Sequence, residues 1–363
     1  RLAKGQGMVR IINSRLASLP MDLNPDIADN KIIACALRLT QDEPTKKIIL
    51  VSRDINMRVI ANSLNLIAED FNSEHAIERG ESLFTGTTDI ILSDEEITSF
   101  YASPGLSIEG TNIFAPYANE YVVLKSDEKT VAGEGRFDLK TNSIKPIPKR
   151  VKPIFGIKAK NTEQSYALDL LLDPSIPIVT LVGSAGSGKT LCALAAGLEQ
   201  VLQGKTYKKL IVSRPVQPVG RDIGFLPGTL EEKMMPWLRP IQDNLEFLLS
   251  GKDIFQTYIE KGIIEMEAIS YIRGRSIPDT FMIIDEAQNL TVHELKTIIT
   301  RVGEKTKIVL TGDIEQIDNA YIDDTSNGLS YAVEKFKTSE LAGHITLLKG
   351  ERSAVATLAA KIL

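Results

Sequence analysis

The stretch "IPIVTLVGSAGSGKTLCALAAGLEQVL", residues 176–202, decides the fold. An apolar run rich in β-branched residues ends in a loop of small residues, and a helical run follows. Within it, "GSAGSGKT" (183–190) fits G-x-x-x-x-G-K-[ST] at every fixed position. A strand before the loop and a helix after it are the context that this pattern needs. Gly183, Gly186 and Gly188 let backbone N–H groups turn inward around phosphate oxygens, where side chains would block them. The helix N-terminus adds a favourable dipole. Lys189 reaches the terminal phosphates as a compact positive charge, and Thr190 offers a hydroxyl to Mg²⁺. Ser184, Ala185, Ser187 and Leu191 complete the nucleotide-binding stretch. An ordinary Gly-rich turn would share the glycines but not the flanking elements.

Further apolar runs lie outward from this one: "KKLIVSRP" (208–215), "TFMIIDEAQ" (280–288), "TKIVLTGD" (306–313) and "HITLLK" (344–349). Apolar strands separated by helices imply a parallel, doubly wound α/β sheet. Asp285, at the end of one such strand, is expected to serve Mg²⁺ one strand over from the loop. Glu286 is placed to polarise the attacking water as general base. The alternative is that the two acids cap the next helix. In "VLTGDIEQID" (309–318), Gln316 either hydrogen-bonds the γ-phosphate or the attacking water, or belongs to a plain strand–turn–helix. In "NTEQSYALDLL" (161–171), the Gln164 amide offers the donor and acceptor that an adenine edge requires, or merely starts a helix.

The bulk numbers bound the rest. A chain of 363 residues favours two or three domains. The formal net charge of −5 advertises no global attraction to nucleic acid, so any such contact is local. The two cysteines, Cys35 and Cys192, sit in apolar segments without CxxC spacing, which argues against a disulfide framework or zinc site. No apolar run reaches the ~18 residues of a membrane span, and no signal peptide opens the chain. A cytoplasmic placement away from membranes is expected. The chain starts at Arg1 in mid-pattern and reads as a fragment. Residues 1–70 read as α/β: a helix in "DNKIIACALRLTQ" (29–41), a buried strand in "KKIILVS" (46–52) and a helix in "INMRVIANSLNL" (55–66). Residues 71–150 turn β-rich. The basic, proline-punctuated "KPIPKRVKPIFGIKAK" (145–160) reads as an extended linker, either solvated or contacting phosphates.

Together "NTEQ", "GSAGSGKT", "SRPVQPVGRDIGFLPGTLEEKMMPWLRPIQDNL" (213–245), "YIRGRSIPDTFMIIDEAQNL" (271–290), "LTGDIEQID" (310–318) and "ERSAVA" (351–356) closely resemble the PhoH family of ATP-binding proteins. The core of that family is like the RecA-type lobe of superfamily 1 helicases. The resemblance implies a RecA-like P-loop NTPase lobe over 151–363, binding ATP and Mg²⁺. "DNKIIACAL" and "VSRDINMR" resemble the back half of a PIN nuclease fold, as in PIN–PhoH fusion proteins. That implies a partial PIN-like domain over 1–70, a β-rich module and basic linker over 71–150, and Asp29 and Asp54 facing Mg²⁺ or Mn²⁺. Asp29 as a helix cap remains open. The acid of the PIN domain's opening strand is missing, so a poor nuclease is expected.

Proteins of this fusion type look like RNA-directed, ATP-dependent helicase–ribonucleases acting on single-stranded RNA. Arg214, Arg273 and Arg275 fall where nucleic acid crosses such lobes, with surface ion pairing as the alternative. A superfamily 1 helicase completes its site with an arginine from a second lobe. Only one lobe fits here, so the resemblance implies a ring, a hexamer, with ATP sites at subunit interfaces and Arg352 as candidate arginine. Two functions stay open. One is an ATPase coupled to single-stranded RNA as a helicase or translocase that serves a PIN ribonuclease. The other is a slow ATP-binding regulatory module that gates partner binding without unwinding.

Overall fold

The computed structural model describes residues 23–24, 26–52, 54–69, 76, 82–102, 105–109, 115–127, 130–148, 152–215, 230–272, 276–319 and 322–350. The chain divides into two compact units, Arg1–Glu74 and His75–Leu363. In the first, helix α1 (Ala28–Asp42), strand β1 (Ile49–Val51), helix α2 (Ile55–Ser63) and strand β2 (Ile67–Glu69) follow one another. The two strands pair in parallel. Residues three and four apart on the helices, Ile33 with Ala36 and Met57 with Ala61, close over Leu50 and Leu66 to make the core.

The second unit holds two sheets. The smaller is built from β3 (Thr87–Ile91), α3 (Asp94–Ala102), β4 (Leu106–Ser107), β5 (Tyr121–Lys125), β6 (Val131–Asp138) and β7 (Ser143–Pro146). Its strand order is β3-β5-β6-β7-β4, parallel at the β3–β5 pair and antiparallel elsewhere. One face buries Phe100, Val122, Leu124, Phe137 and Ile144. Strand β6 alternates along its length, as a sheet with one covered face requires.

The larger sheet contains α4 (Thr162–Leu172), β8 (Ile178–Gly183), α5 (Lys189–Leu198), β9 (Lys209–Arg214), α6 (Leu230–Leu248), α7 (Lys252–Glu260), β10 (Ile264–Ala268), α8 (Ile269–Ile272), β11 (Thr280–Ile284), α9 (Val292–Ile299), β12 (Lys307–Gly312), α10 (Gly328–Phe336) and β13 (Ala342–Leu347). Six strands run parallel in the order β10-β9-β11-β12-β8-β13. Both faces are covered. Leu181, Val212, Ile283 and Val309 join one core, and Val182, Ile211, Ile284 and Leu310 the other. This explains why β11 and β12 read as unbroken apolar runs. The architecture is a RecA-like P-loop lobe.

Three features differ from the sequence reading. Asp285 does not follow a strand adjacent to the phosphate loop, because β12 lies between β8 and β11. Chain order does not dictate lateral order, and β12 is buried at every position and so takes a central place. The edge strand β10 is also additional to the five strands expected. Its sequence "IEMEA" carries two glutamates and is only partly buried, so it lacks the apolar run that marks the others. The segment read as a linker meanwhile packs Ile154 into the core of the lobe.

The smaller sheet is bonded to α4 and β13. Tyr121 stacks on Tyr166 with ring centroids 4.1 Å apart. Its hydroxyl lies 2.8 Å from Asp169 Oδ2, and burial together with that carboxylate pushes the phenol pKa well up, which keeps the proton in place. Arg136 donates to Asp169 at 3.0 Å and to Asp173 at 2.6 Å. Asn119 donates to the Ala342 carbonyl at 2.8 Å. Under this cluster Lys307 Nζ donates to the Leu170 and Asp173 carbonyls, both at 2.8 Å, and so satisfies the C-terminal end of α4. The N-terminal end of the same helix reaches the phosphate loop.

Burial pushes the Lys307 amine down to about 7 from its ordinary 10.5. Between those values the unfolded chain carries the proton and the folded chain does not. The unfolded state binds more protons there, so stability rises with pH across that window. The expected outcome is that unfolding free energy, measured by urea titration from pH 7 to 10, climbs in the wild type, and that Lys307→Met flattens the climb.

Candidate active site

The carboxyl ends of β8, β11 and β12 meet at one edge of the larger sheet. There the phosphate loop turns from β8 into α5. Gly188 sits at the start of that helix with φ +90°, a left-handed conformation that a side chain resists. A Cβ on it would lie 2.8 Å from Gln164 Nε2. Gln164 is buried, and its Nε2 donates to the Ser187 carbonyl at 3.0 Å. Its Oε1 accepts from the Lys160 backbone N–H at 2.9 Å. Asn161, the N-cap of α4, accepts from the Gln164 N–H and fixes the first turn. These partners settle the amide's orientation. One N–H and one lone pair of the amide stay available for a base edge. Gln164 lines a cavity of about 670 Å³ with Gly188, Lys189, Thr190, Leu191 and the 156–160 segment.

Asp285 is the centre of the polar network. Its Oδ1 accepts from Thr190 Oγ1 at 2.7 Å and from Thr311 Oγ1 at 2.6 Å. The carboxylate is 5% exposed, and Lys189 is 8% exposed with Nζ 3.3 Å from the Ser184 carbonyl. Hydroxyl and carboxylate oxygens are the hard donors that Mg²⁺ selects. Backbone close enough to exclude a Cβ, a buried lysine and this oxygen pair fit a nucleoside triphosphate with Mg²⁺.

Glu286 follows in a left-handed conformation, φ 55°, which costs about 1–3 kcal/mol for a residue with a side chain. Its Oε1 accepts from Arg214 Nη2 at 3.1 Å, and its Oε2 accepts from Gln288 Nε2 at 2.6 Å. Gln288 is fully buried. It also donates to the Gln316 carbonyl at 2.8 Å and accepts from the Asp313 N–H at 3.1 Å. A Cβ on Gly312 would lie 2.3 Å from Gln288 Oε1, so the end of β12 needs glycine for this amide to pass. Asp313 in turn accepts from the Ala185 N–H of the phosphate loop at 3.0 Å.

The structure thus draws Gln164, the loop, Lys189, Thr190, Asp285 and Glu286 into one network. Gln316 enters it through its backbone carbonyl, while its side chain is exposed. Arg214 was singled out as a nucleic-acid contact, and its guanidinium is ion-paired with Glu286. Thr311 and Asp313 escaped the sequence reading. The signal for them was "TGD" ending a strand with no other polar break after Lys307. Asp29 is exposed in the first turn of α1, and Asp54 caps α2 by accepting from the Met57 N–H at 3.1 Å. Among the described residues no group of three or more His, Cys, Asp or Glu side chains gathers to hold a metal. Arg273, Arg275 and Arg352 lie outside the described residues. No helix among the described residues is long and apolar enough to cross a membrane.

Comparison with known proteins matches residues 156–362 to the family described as PhoH-like protein, and residues 2–72 to the PIN domain family. Protein PhoH2 of Bacillus subtilis is 47% identical over 343 residues, 92% of this chain and 77% of that protein. Protein PhoH2 of Mycolicibacterium smegmatis is 34% identical over 358 residues, 98% of this chain and 78% of that protein. Among solved structures, the Pif1 helicase from Candida albicans aligns at 16% identity with a TM-score of 0.29, covering 53% of this chain and 40% of that one. The Pyrococcus furiosus Hef helicase domain aligns at 11% identity with a TM-score of 0.28, covering 50% and 37%.

The tight approach at Gly188 gives a direct test of the cradle. Gly188→Ala adds left-handed strain of roughly 1–2 kcal/mol to a 2.8 Å clash with Gln164. Its dissociation constant for a fluorescent ATP analogue is expected to rise about tenfold or more, with the protein still folded and its unfolding temperature lowered by only a few degrees.

Proposed function

The chain belongs to the PhoH-like family, with a PIN domain at its N-terminal end, and we propose that it hydrolyses ATP in step with single-stranded RNA, as a helicase or translocase serving that PIN domain. The observation that carries the reading is the Asp285 carboxylate shared by Thr190 and Thr311, which joins the phosphate loop to the ends of two further strands. A binding loop alone needs no such junction. A hydrolase does, because the groups that hold phosphate and those that act on water must be fixed relative to one another.

Each residue then has a task. The loop amides and Lys189 bind the phosphates. Thr190 and Asp285 would hold Mg²⁺, which when bound neutralises charge on the transferring phosphoryl oxygens. Glu286 takes the proton of the attacking water. Gln288 keeps Glu286 and the Gln316 segment in register with Asp313, which touches the loop. Gln164 braces the loop and faces the base. Support for RNA comes from the PIN domain in the same chain and from the basic stretch that ends in Lys158 and Lys160 at the cavity wall.

Steady-state ATP turnover with and without poly(U), over a salt series, tests the reading. Wild type is expected to be accelerated by the polymer, with the acceleration fading as salt rises, because phosphate contacts release counterions. Lys189→Ala is expected to lose turnover under all conditions. A wild-type rate that ignores RNA at every salt concentration rejects the helicase and leaves the slow regulatory module.

A further inference from the structure

Both oxygens of the general base already accept a hydrogen bond, so its aim is restrained, although the side chain is 29% exposed and each oxygen keeps a lone pair. One oxygen of Glu286 is taken by Arg214 at 3.1 Å and the other by Gln288 at 2.6 Å. To accept a proton from water, a carboxylate must present an oxygen to it within hydrogen-bond reach. The backbone adds to the restraint, since the left-handed φ of 55° aims the side chain from a strained position that its surroundings must enforce. Glu286 is therefore turned toward the neighbouring strand β9, which ends in Arg214.

Arg214 is well placed to be the removable partner. Gln288 is fully buried and serves three elements, so it cannot leave without dismantling the network. The Arg214 side chain is 23% exposed. Its second contact, from Nη1 to the Trp237 carbonyl on α6, is long at 3.4 Å. A guanidinium has five N–H donors in a planar fork, and a phosphodiester is a partner it binds in two-point fashion. Arg214 lies on β9, between β11, which leads to Glu286, and the outer strand β10.

We propose that Arg214 is a latch on Glu286. In the free protein the ion pair holds the carboxylate away from the attacking water. A backbone phosphate of single-stranded RNA takes the guanidinium and frees the carboxylate, so RNA accelerates hydrolysis by removing a restraint. The RNA step rests on the reading under Proposed function, and the restraint itself does not. Arg214 is on this account a positioning residue, acting only through Glu286.

The test is ATP turnover of full-length Arg214→Gln, Arg214→Lys, Glu286→Gln and the double variant Arg214→Gln/Glu286→Gln, with and without poly(U). Arg214→Gln is expected to raise the basal kcat roughly two- to fivefold, the scale of a partly exposed ion pair. Its KM for ATP is expected to stay unchanged, and poly(U) to give no further gain. Arg214→Lys keeps a charge but loses the fork, and is expected to fall between it and wild type. It also serves as the readout if the glutamine variant does not fold. The double variant is expected to turn over no faster than Glu286→Gln alone, which places the gain in Glu286, whereas a gain on that background overturns the latch. A basal kcat equal to or below wild type in the folded variants overturns the latch. If wild type ignores poly(U) while Arg214→Gln is faster, the latch stands and the RNA reading falls.

Discussion

A hydrogen bond of 2.7 Å from Thr190 to Asp285 joins the first turn of α5 to the end of β11 across an intervening strand. The distance can be bridged because β12 ends between the two and contributes Thr311 to the same carboxylate oxygen, at 2.6 Å. One buried carboxylate accepting two hydroxyls is well satisfied, and losing either donor would leave it short of a partner in a low-dielectric place. The phosphate loop, the acidic strand and the strand that carries Asp313 are thereby held as one edge. Every role assigned to Lys189, Glu286 and Gln288 depends on that edge being fixed.

The network extends outward from there by identifiable bonds. Gln288 connects Glu286 to Asp313, and Asp313 returns to the loop through Ala185. On the opposite side, Gln164 braces the loop from the start of α4. The far end of α4 is held by Lys307 and by the aspartates that Arg136 and Tyr121 engage. The β-rich segment is accordingly part of the framework that sets the helix behind the nucleotide. A polar cluster of this kind serves geometry more than stability, since buried charge pairs offset their own desolvation only in part.

Much of this was legible in the sequence. The loop, its strand and its helix follow from residue types that phosphate binding demands, and the central strands declared themselves through apolar runs. Asp285 and Glu286 stood out because a carboxylate pair ends an apolar run in the same chain as a phosphate loop; alone the pair could equally cap a helix. Lateral strand order was not legible, since it depends on which strand buries both faces, and so the adjacency expected of Asp285 gave way to β12. Strand β10 was hidden by its glutamates. The partner of Arg214 was hidden as well, because an ion pair separated by 72 residues leaves no local pattern. Asp54, which the resemblance implies faces a metal, also satisfies a helix N-terminus, a contact that the sequence pattern alone did not single out.

The shared carboxylate is the place where metal and phosphate are expected to meet. Calorimetric titration of a non-hydrolysable ATP analogue, with and without Mg²⁺, measures this directly. In wild type Mg²⁺ is expected to tighten binding roughly tenfold or more. Thr190→Val and Asp285→Asn are each expected to lose that gain while retaining metal-free binding through Lys189 and the loop amides. A Mg²⁺ gain that survives in both variants would contradict the account.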